Sequence, residues 1–209
     1  MMKIILGVLI TIYSAFAIDS FGGVSIGQIP VNQVVTNTTK NTSSKSEEDG
    51  ATLSFTLGAF LTNLDGISLT KTFVRSSNDL DVDNTTFSYR RVFPMRYFAL
   101  TAGASYNMFT HSQTLSGSSW NKDKLEFTTS YYTLDFGLIA DLPISNTAIE
   151  FGYRMEISSD NKEGTATYAN NNLVVKYEDF SEMYIGVLYL FGYTPKSVPT
   201  KTIEYYNVK

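Results

Sequence analysis

The residues able to do chemistry are few and scattered. His111 is the sole histidine of the 209 residues, and cysteine is absent. A hydrolase needs a nucleophile and a base within hydrogen-bonding reach. Ser112 is the nearest hydroxyl to His111, but adjacent residues on a strand point to opposite faces. No His-x-Ser or His-x-x-x-Asp spacing offers another pair. Asp79, Asp81 and Asp83 alternate as the opening of an EF-hand loop does. The sixth position, however, is Asn84 where that loop needs glycine, and the twelfth is Arg90 where it needs a bidentate Glu. A solvated acidic loop is expected there, with weak cation binding as the alternative. Asn37, Asn41 and Asn84 head Asn-x-Ser/Thr triplets, which chance supplies in stretches so rich in Asn, Thr and Ser. No catalytic residue, metal site or cofactor is expected. The other chemistry on offer is ion pairing, among Arg90, Asp135, Glu150, Arg154, Glu156 and Glu182.

The chain that must position these residues begins with an export signal. Lys3 is a charged start, Ile4–Tyr13 an apolar run, and Ala15-Phe16-Ala17 a small-x-small cleavage site. Ala15 and Ala17 thus mark processing, and residues 1–17 are expected to leave. The apolar run is shorter than the ~20 residues of a spanning helix. Without Lys3 the balance is 15 basic against 20 acidic residues, or −5, and no basic patch suggests nucleic acid. Export without cysteine rules out a disulfide framework. Aromatics reach 14% while charged residues are only 17% and mean hydropathy is −0.06. Apolar and polar residues are therefore finely mixed, and the period of mixing decides the fold.

That period is two. In Ile149–Ile157 every odd residue is apolar or aromatic and every even one is Gly or charged, as in a strand with two different faces. Thr52–Leu61, Phe98–Met108, Tyr131–Ala140 and Glu182–Phe191 repeat it. Ile67–Arg75, Thr85–Phe93 and the Gly-rich Phe21–Val31 follow it less regularly. Eight strands result. Short turns at Asn63–Gly66, Pro94-Met95 and Pro143–Asn146 alternate with long polar stretches at Asn32–Gly50, Ser76–Asn84, Thr110–Lys124 and Ser158–Asn172. In an antiparallel chain this alternation gathers all long loops at one end. Transmembrane barrels segregate their loops in this way, and a sandwich has no reason to.

The last strand carries a family resemblance. Tyr184-Ile185-Gly186-Val187-Leu188-Tyr189-Leu190-Phe191 follows the pattern polar-x-Gly-x-x-aromatic-x-aromatic. With the eight alternating segments it resembles the small eight-stranded outer-membrane barrels of the OmpA, OmpX and opacity type. The resemblance covers residues 21–191 as architecture. It implies an all-β fold, an eight-stranded antiparallel up-and-down transmembrane β-barrel over 18–191. It also implies a bacterial outer-membrane location, and barrel-assembly machinery that reads Tyr184, Gly186, Tyr189 and Phe191. The chain departs from the pattern in continuing beyond Phe191, which implies a short periplasmic tail, 192–209.

Such a barrel would turn its apolar faces to outer-membrane lipid and lipopolysaccharide. Phe93, Tyr189 and Phe191 would girdle one interface, and Tyr106, Phe109 and Tyr132 the other. The interior would hold Arg90, Asp135, Glu150, Arg154, Glu156 and Glu182, with Gly58, Gly103, Gly137, Gly152 and Gly186 making room. Eight strands leave an interior just wide enough for side chains, and opposite charges there should pair. A closed barrel displaying loops to a host or cell-surface ligand is expected. A small porin-like channel, a lipid hydrolase using His111 and a soluble periplasmic barrel are the alternatives. Arg91 should snorkel beside Pro94. Lys71 falls on the lipid face, which calls for a bulge or another register. The first loop, Asn37–Gly50, has the composition of a disordered segment.

Overall fold

The computed structural model describes residues 19–47, 49–75, 80–115, 123–142, 146–159, 162–168 and 171–191. Their strands are β1 (Ser20–Pro30), β2 (Gln33–Asn37), β3 (Thr42–Ser46), β4 (Asp49–Phe60), β5 (Asp65–Arg75) and β6 (Leu80–Pro94). There follow β7 (Ala99–Leu115), β8 (Asp123–Asp141), β9 (Thr147–Ser159), β10 (Glu163–Tyr168), β11 (Asn171–Tyr177) and β12 (Glu182–Phe191). Eight of them close into an antiparallel barrel in the order β1-β12-β9-β8-β7-β6-β5-β4. The ring is sealed where β1 meets β12, from Ser20↔Phe191 to Gln28↔Met183. The expected eight-stranded barrel is the observed one. The leader (1–17), the tail after Phe191, Asp79 and Pro143–Ser145 lie outside the described residues.

Alternation sorts the two faces of the wall. Leu53, Phe55 and Leu57 on β4, Phe151 and Tyr153 on β9, and Met183, Ile185 and Val187 on β12 point outward and are exposed, Met183 at 66%. Ser54, Thr70, Thr72, Thr86 and Asn107 point inward and are almost fully buried. A soluble barrel would fill its core with the apolar face and show the polar one to water. Here the assignment is reversed, and a continuous apolar belt of this size needs an apolar surround. The closed ring leaves no unpaired barrel edge, the condition for strands in hydrocarbon.

Three expectations about loops are corrected. The described parts of Ser76–Asn84 and Thr110–Lys124 are strand, because β6 begins at Leu80, β7 runs to Leu115 and β8 starts at Asp123. Asp81 and Asp83 therefore sit in a ladder, opposite Ser112 and Thr110. Beyond the belt the outward positions meet water, so hydropathy ceases to alternate while pairing continues. The first long stretch is also ordered: β2 and β3 form a hairpin from Gln33↔Ser46 to Asn37↔Thr42. Asn37 Oδ1 accepts the backbone N–H groups of Thr39 and Lys40, and Asn41 takes a positive φ of 52°. Asn tolerates that conformation better than most residues. The hairpin gains a partner 130-odd residues away, β11, paired from Leu173↔Asn37 to Tyr177↔Gln33. With β10 this makes a second sheet, β10-β11-β2-β3.

Candidate functional site: a sealed interior beneath an outer sheet

The lumen is filled in three layers. At the short-turn end Phe21, Ala148 and Leu188 are buried together, packed by Phe60, Ile139 and Leu190. Gly58 is required here, since a Cβ would stand 2.2 Å from the Phe21 ring. Phe21 in turn lies under Arg90, whose guanidinium is 4.4 Å from the ring centre.

The middle layer holds five of the six charged residues singled out above. Arg90 Nη1 donates to Glu150 Oε1 at 2.8 Å, and Arg154 Nη1 donates to Glu182 Oε2 at 2.6 Å. Arg154 also covers the Tyr184 ring at 4.6 Å. That ring occupies the space above Gly152, where a Cβ would meet it at 2.1 Å. Tyr184 is thus an inward residue, while Tyr189 and Phe191 point outward. Gly186 lies opposite Glu150 on one side and Ser25 on the other. Asp135 lies between Gly103 and Arg154 in the ladders and accepts the Ser105 and Thr133 hydroxyls. Thr52 donates to Glu182 at 3.0 Å. The remaining wall is a hydroxyl lining, with contacts Ser54–Thr72, Thr56–Thr70 and Ser105–Ser88. Satisfying a buried charge by hydrogen bonds as well as by a counter-charge offsets its desolvation.

The upper layer is aromatic. Phe109, Tyr131, Tyr177 and Phe180 are buried with Ile29, Val31, Val74 and Val82. Phe180 stacks on Tyr131 at 4.6 Å and lies 4.5 Å from Phe109. Phe109, expected in the outer girdle, is instead 2% exposed and inside. Phe109 has the parity of the buried Asn107 and not that of Tyr106, while Tyr132 keeps its outward position. The sixth charged residue, Glu156, serves this layer: it pairs with Lys162 and accepts the Phe180 N–H at 2.9 Å. Tyr177 and Phe180 were missed in the sequence reading. The only signal was an aromatic pair set among Glu178, Asp179 and Ser181 in a polar stretch.

His111 belongs to the same layer. It is fully buried, and Nδ1 lies 2.6 Å from the Tyr177 hydroxyl. Its ring stacks on Phe127 at 4.9 Å. Ser112 is on the other side of the wall, directed at Glu126, so the two cannot act as a nucleophile and base. Among the described residues no group of His, Asp and Glu could hold a metal ion.

Two outward cations had raised questions of register. The ladders of β5 run through Lys71 without shift, Phe55↔Lys71↔Thr85, so no bulge is needed. Among the described residues, the one irregularity of the wall falls at Tyr132/Thr133 against β9. Lys71 lies outward and carries its ammonium up to Asp83 and the Thr85 hydroxyl. Asp83 is opposite Phe73, further from the short-turn end, so the stem stays in the belt while the charge leaves it. Arg91, beside Pro94, lies 3.7 Å from Asp65, which also accepts the Tyr89 hydroxyl.

Above the mouth, the outer sheet is tied at its tips. Thr38 donates its N–H and hydroxyl to the Asn172 carbonyl, and the Asn172 N–H returns to the Thr39 hydroxyl. Lys45 on β3 bridges Glu47 and Glu178 at 2.8 and 2.9 Å. These hydrogen-bonded pairs raise the Lys45 pKa and lower that of Glu47.

The chain matches no protein-family model, and no curated protein matches it in sequence. Solved structures do match. The outer membrane protein OprG from Pseudomonas aeruginosa superposes with a TM-score of 0.58 at 12% identity, covering 83% of this chain and 95% of that one. Neisserial surface protein A gives 0.49 at 15% identity, over 81% and 96%. The N-terminal β-barrel domain of Pseudomonas aeruginosa OprF gives 0.45 at 10%, over 81% and 97%. The likeness to OprG shows the fold: this chain has the barrel of small outer-membrane proteins.

Proposed function

We propose that the protein is a closed outer-membrane barrel that presents its β10-β11-β2-β3 sheet to ligands on other cells or hosts. In this reading the leader is cleaved after Ala17, and barrel-assembly machinery reads Tyr184, Gly186, Tyr189 and Phe191. Lipopolysaccharide surrounds the outer rim, near Lys71 and Asp83. The barrel acts without a cofactor and performs no catalysis, and it binds no nucleic acid. One observation carries the reading: a lumen filled by apolar layers at both ends and by paired charges between them, inside an outward apolar belt. A pore needs a continuous polar path, and Phe21–Leu188 below and Phe109–Phe180 above both interrupt it.

Reconstitution tests the closed barrel. Protein in lipid bilayers is expected to show heat-modifiable migration and β-rich circular dichroism with no discrete conductance. Stepwise channel openings would overturn the closed reading. The contact role is tested by removing groups on the outward face, Thr36→Ala and Ser43→Ala, whose hydroxyls bond each other at 3.3 Å, together with Lys176→Ala. Attachment of expressing cells to host or bacterial surfaces is expected to fall at unchanged surface abundance. Attachment identical to the parent would overturn that role.

A further inference from the structure

We propose that the aromatic cap over the outer mouth is an acid-released latch, held to the barrel wall by His111 and Tyr177 and freed when His111 takes up a proton. The hinge of the device is geometric. Tyr177 ends β11, and the segment Glu178–Ser181 then dips into the mouth to place Phe180 before β12 begins. The Tyr177 hydroxyl reaches across to His111 Nδ1 on β7. That contact ties the hairpin β10–β11 to a barrel strand through a side-chain hydrogen bond.

His111 stands beyond the apolar belt. The last outward apolar residue of β7 is Met108, and its outward neighbours thereafter are Thr110 and Ser112. The elements packed on the imidazole contribute little that could balance a positive charge. β11 contributes the Tyr177 phenol, kept neutral because burial raises its pKa. β8 contributes the Phe127 ring, and β6 contributes Val82 across the ladder. Asp83 is opposite Thr110 and Glu126 opposite Ser112, both on the outward parity. Of the other charges of the cap, Glu156 and Lys162 lie against Phe180, and the Glu178 carboxylate is paired with Lys45.

Neutral His111 fits this pocket, since one ring nitrogen meets the phenol. The imidazolium would carry a second N–H at Nε2, which is buried with no hydrogen-bond partner among the described residues. Burying a charge unpaired is costly, and lifting the cap removes that cost by admitting water. In line with this, burial lowers the His111 pKa from 6.5 to about 4. A base whose pKa is depressed in the closed state favours closure above its ordinary pKa. It loses that preference as pH falls towards the depressed value. From pH 7 to pH 5 the linkage favours release by roughly 20-fold.

Because the chain has no cysteine, a single thiol can report on the cap. Val31→Cys places one under it, buried at 4% exposure, and Thr38→Cys gives an exposed reference. The protein in lipid vesicles is labelled with a thiol reagent at pH 7 and pH 5. The ratio of the Val31→Cys rate to the Thr38→Cys rate is expected to rise roughly 20-fold. In a His111→Gln background, which keeps a hydrogen-bonding group without the titration, the ratio is expected to stay flat. A flat ratio in the parent, or an equal rise with His111→Gln, would overturn the latch. Should Val31→Cys fail to fold, backbone exchange of the Tyr177 N–H, bonded to the Lys162 carbonyl, reads the same opening in the unlabelled chain. Exchange there that, corrected for intrinsic rate, does not change with pH would equally overturn it.

Discussion

Removing Arg154 tests whether the middle of the lumen is as closed as its geometry states. The Arg154 and Glu182 side chains are 9% and 4% exposed and 2.6 Å apart. Arg154→Met fills much of the same volume but leaves Glu182 buried with, among the described residues, the Thr52 hydroxyl as its remaining side-chain donor. Breaking a buried pair from one side costs about 3–5 kcal/mol. The lost contact with Tyr184 adds about 1 kcal/mol. The expected loss is thus about 4–6 kcal/mol, a large share of a typical folding free energy of about 5–15 kcal/mol. Arg154→Met with Glu182→Gln removes both charges and keeps an acceptor for Thr52. It should lie within about 2 kcal/mol of the parent, because replacing both partners is often close to neutral. Urea unfolding from lipid vesicles, followed by heat-modifiable migration and by the fluorescence of the single tryptophan, measures the cycle. If Arg154→Met cost under about 1 kcal/mol, or the double variant were no better than the single, the charges would be hydrated through an open lumen. The closed interior would then be wrong.

Other consequences are smaller to state. Gly152→Ala sets a methyl against the Tyr184 ring at 2.1 Å; overpacking of this kind costs about 1–3 kcal/mol, and the same unfolding assay should show it relieved by Tyr184→Ala. Lys71→Leu should change stability by less than about 1 kcal/mol, since Asp83 lies at the outer rim of the belt and the lost ion pair is half-exposed. Leu57→Lys, well inside the belt, should cost about 2–4 kcal/mol, and equal costs for the two would refute the placement of the belt. Phe180→Ala should loosen the upper layer, raising proteolysis after Lys162 or Lys176, yet give no conductance in planar bilayers, because the Phe21–Leu188 layer still blocks the lumen.

The barrel was legible because its physics is local. A two-residue period fixes which side chain faces lipid, and the short turns fix which strands are neighbours. The inward parity of Arg90, Glu150, Arg154 and Glu182 followed directly. Partner choice did not, since Arg90 and Glu150 lie on β6 and β9, whose proximity across the lumen depends on barrel curvature. The pattern lost its grip where water replaces lipid: Thr110–Leu115 and Asp123–Thr129 remain strand, and Thr110, Ser112, Glu126 and Thr128 stand on the outward parity. It failed for β2, whose partner β11 is more than 130 residues away. Phe109 was misplaced for a plainer reason. An aromatic near a strand end suggests a girdle, but its odd number gave it the inward parity of Asn107.

The two roles proposed for the outer sheet, display and closure, fall on its two faces. The loops carrying β2–β3 and β10–β11 flank the seam where β1 meets β12. Their pairing from Gln33↔Tyr177 to Asn37↔Leu173 continues that seam beyond the membrane. One row, Gly164–Val175–Val35–Ser44, begins inward, where Phe127 covers Gly164 and Val175 is 2% exposed. The next, Glu163–Lys176–Val34–Lys45, has the opposite parity, with Glu163, Lys176 and Lys45 exposed. Substitutions on the second row should alter what the surface binds and leave closure intact. Val175→Asp on the first should bury a carboxylate against the cap and open the clasp, at a cost of several kcal/mol. Measuring both on one protein separates display from closure: Lys176→Glu should change attachment while keeping the parent's unfolding midpoint, and Val175→Asp should lower the midpoint. If Lys176→Glu destabilised the barrel as much as Val175→Asp does, the two rows would not be divided between the roles.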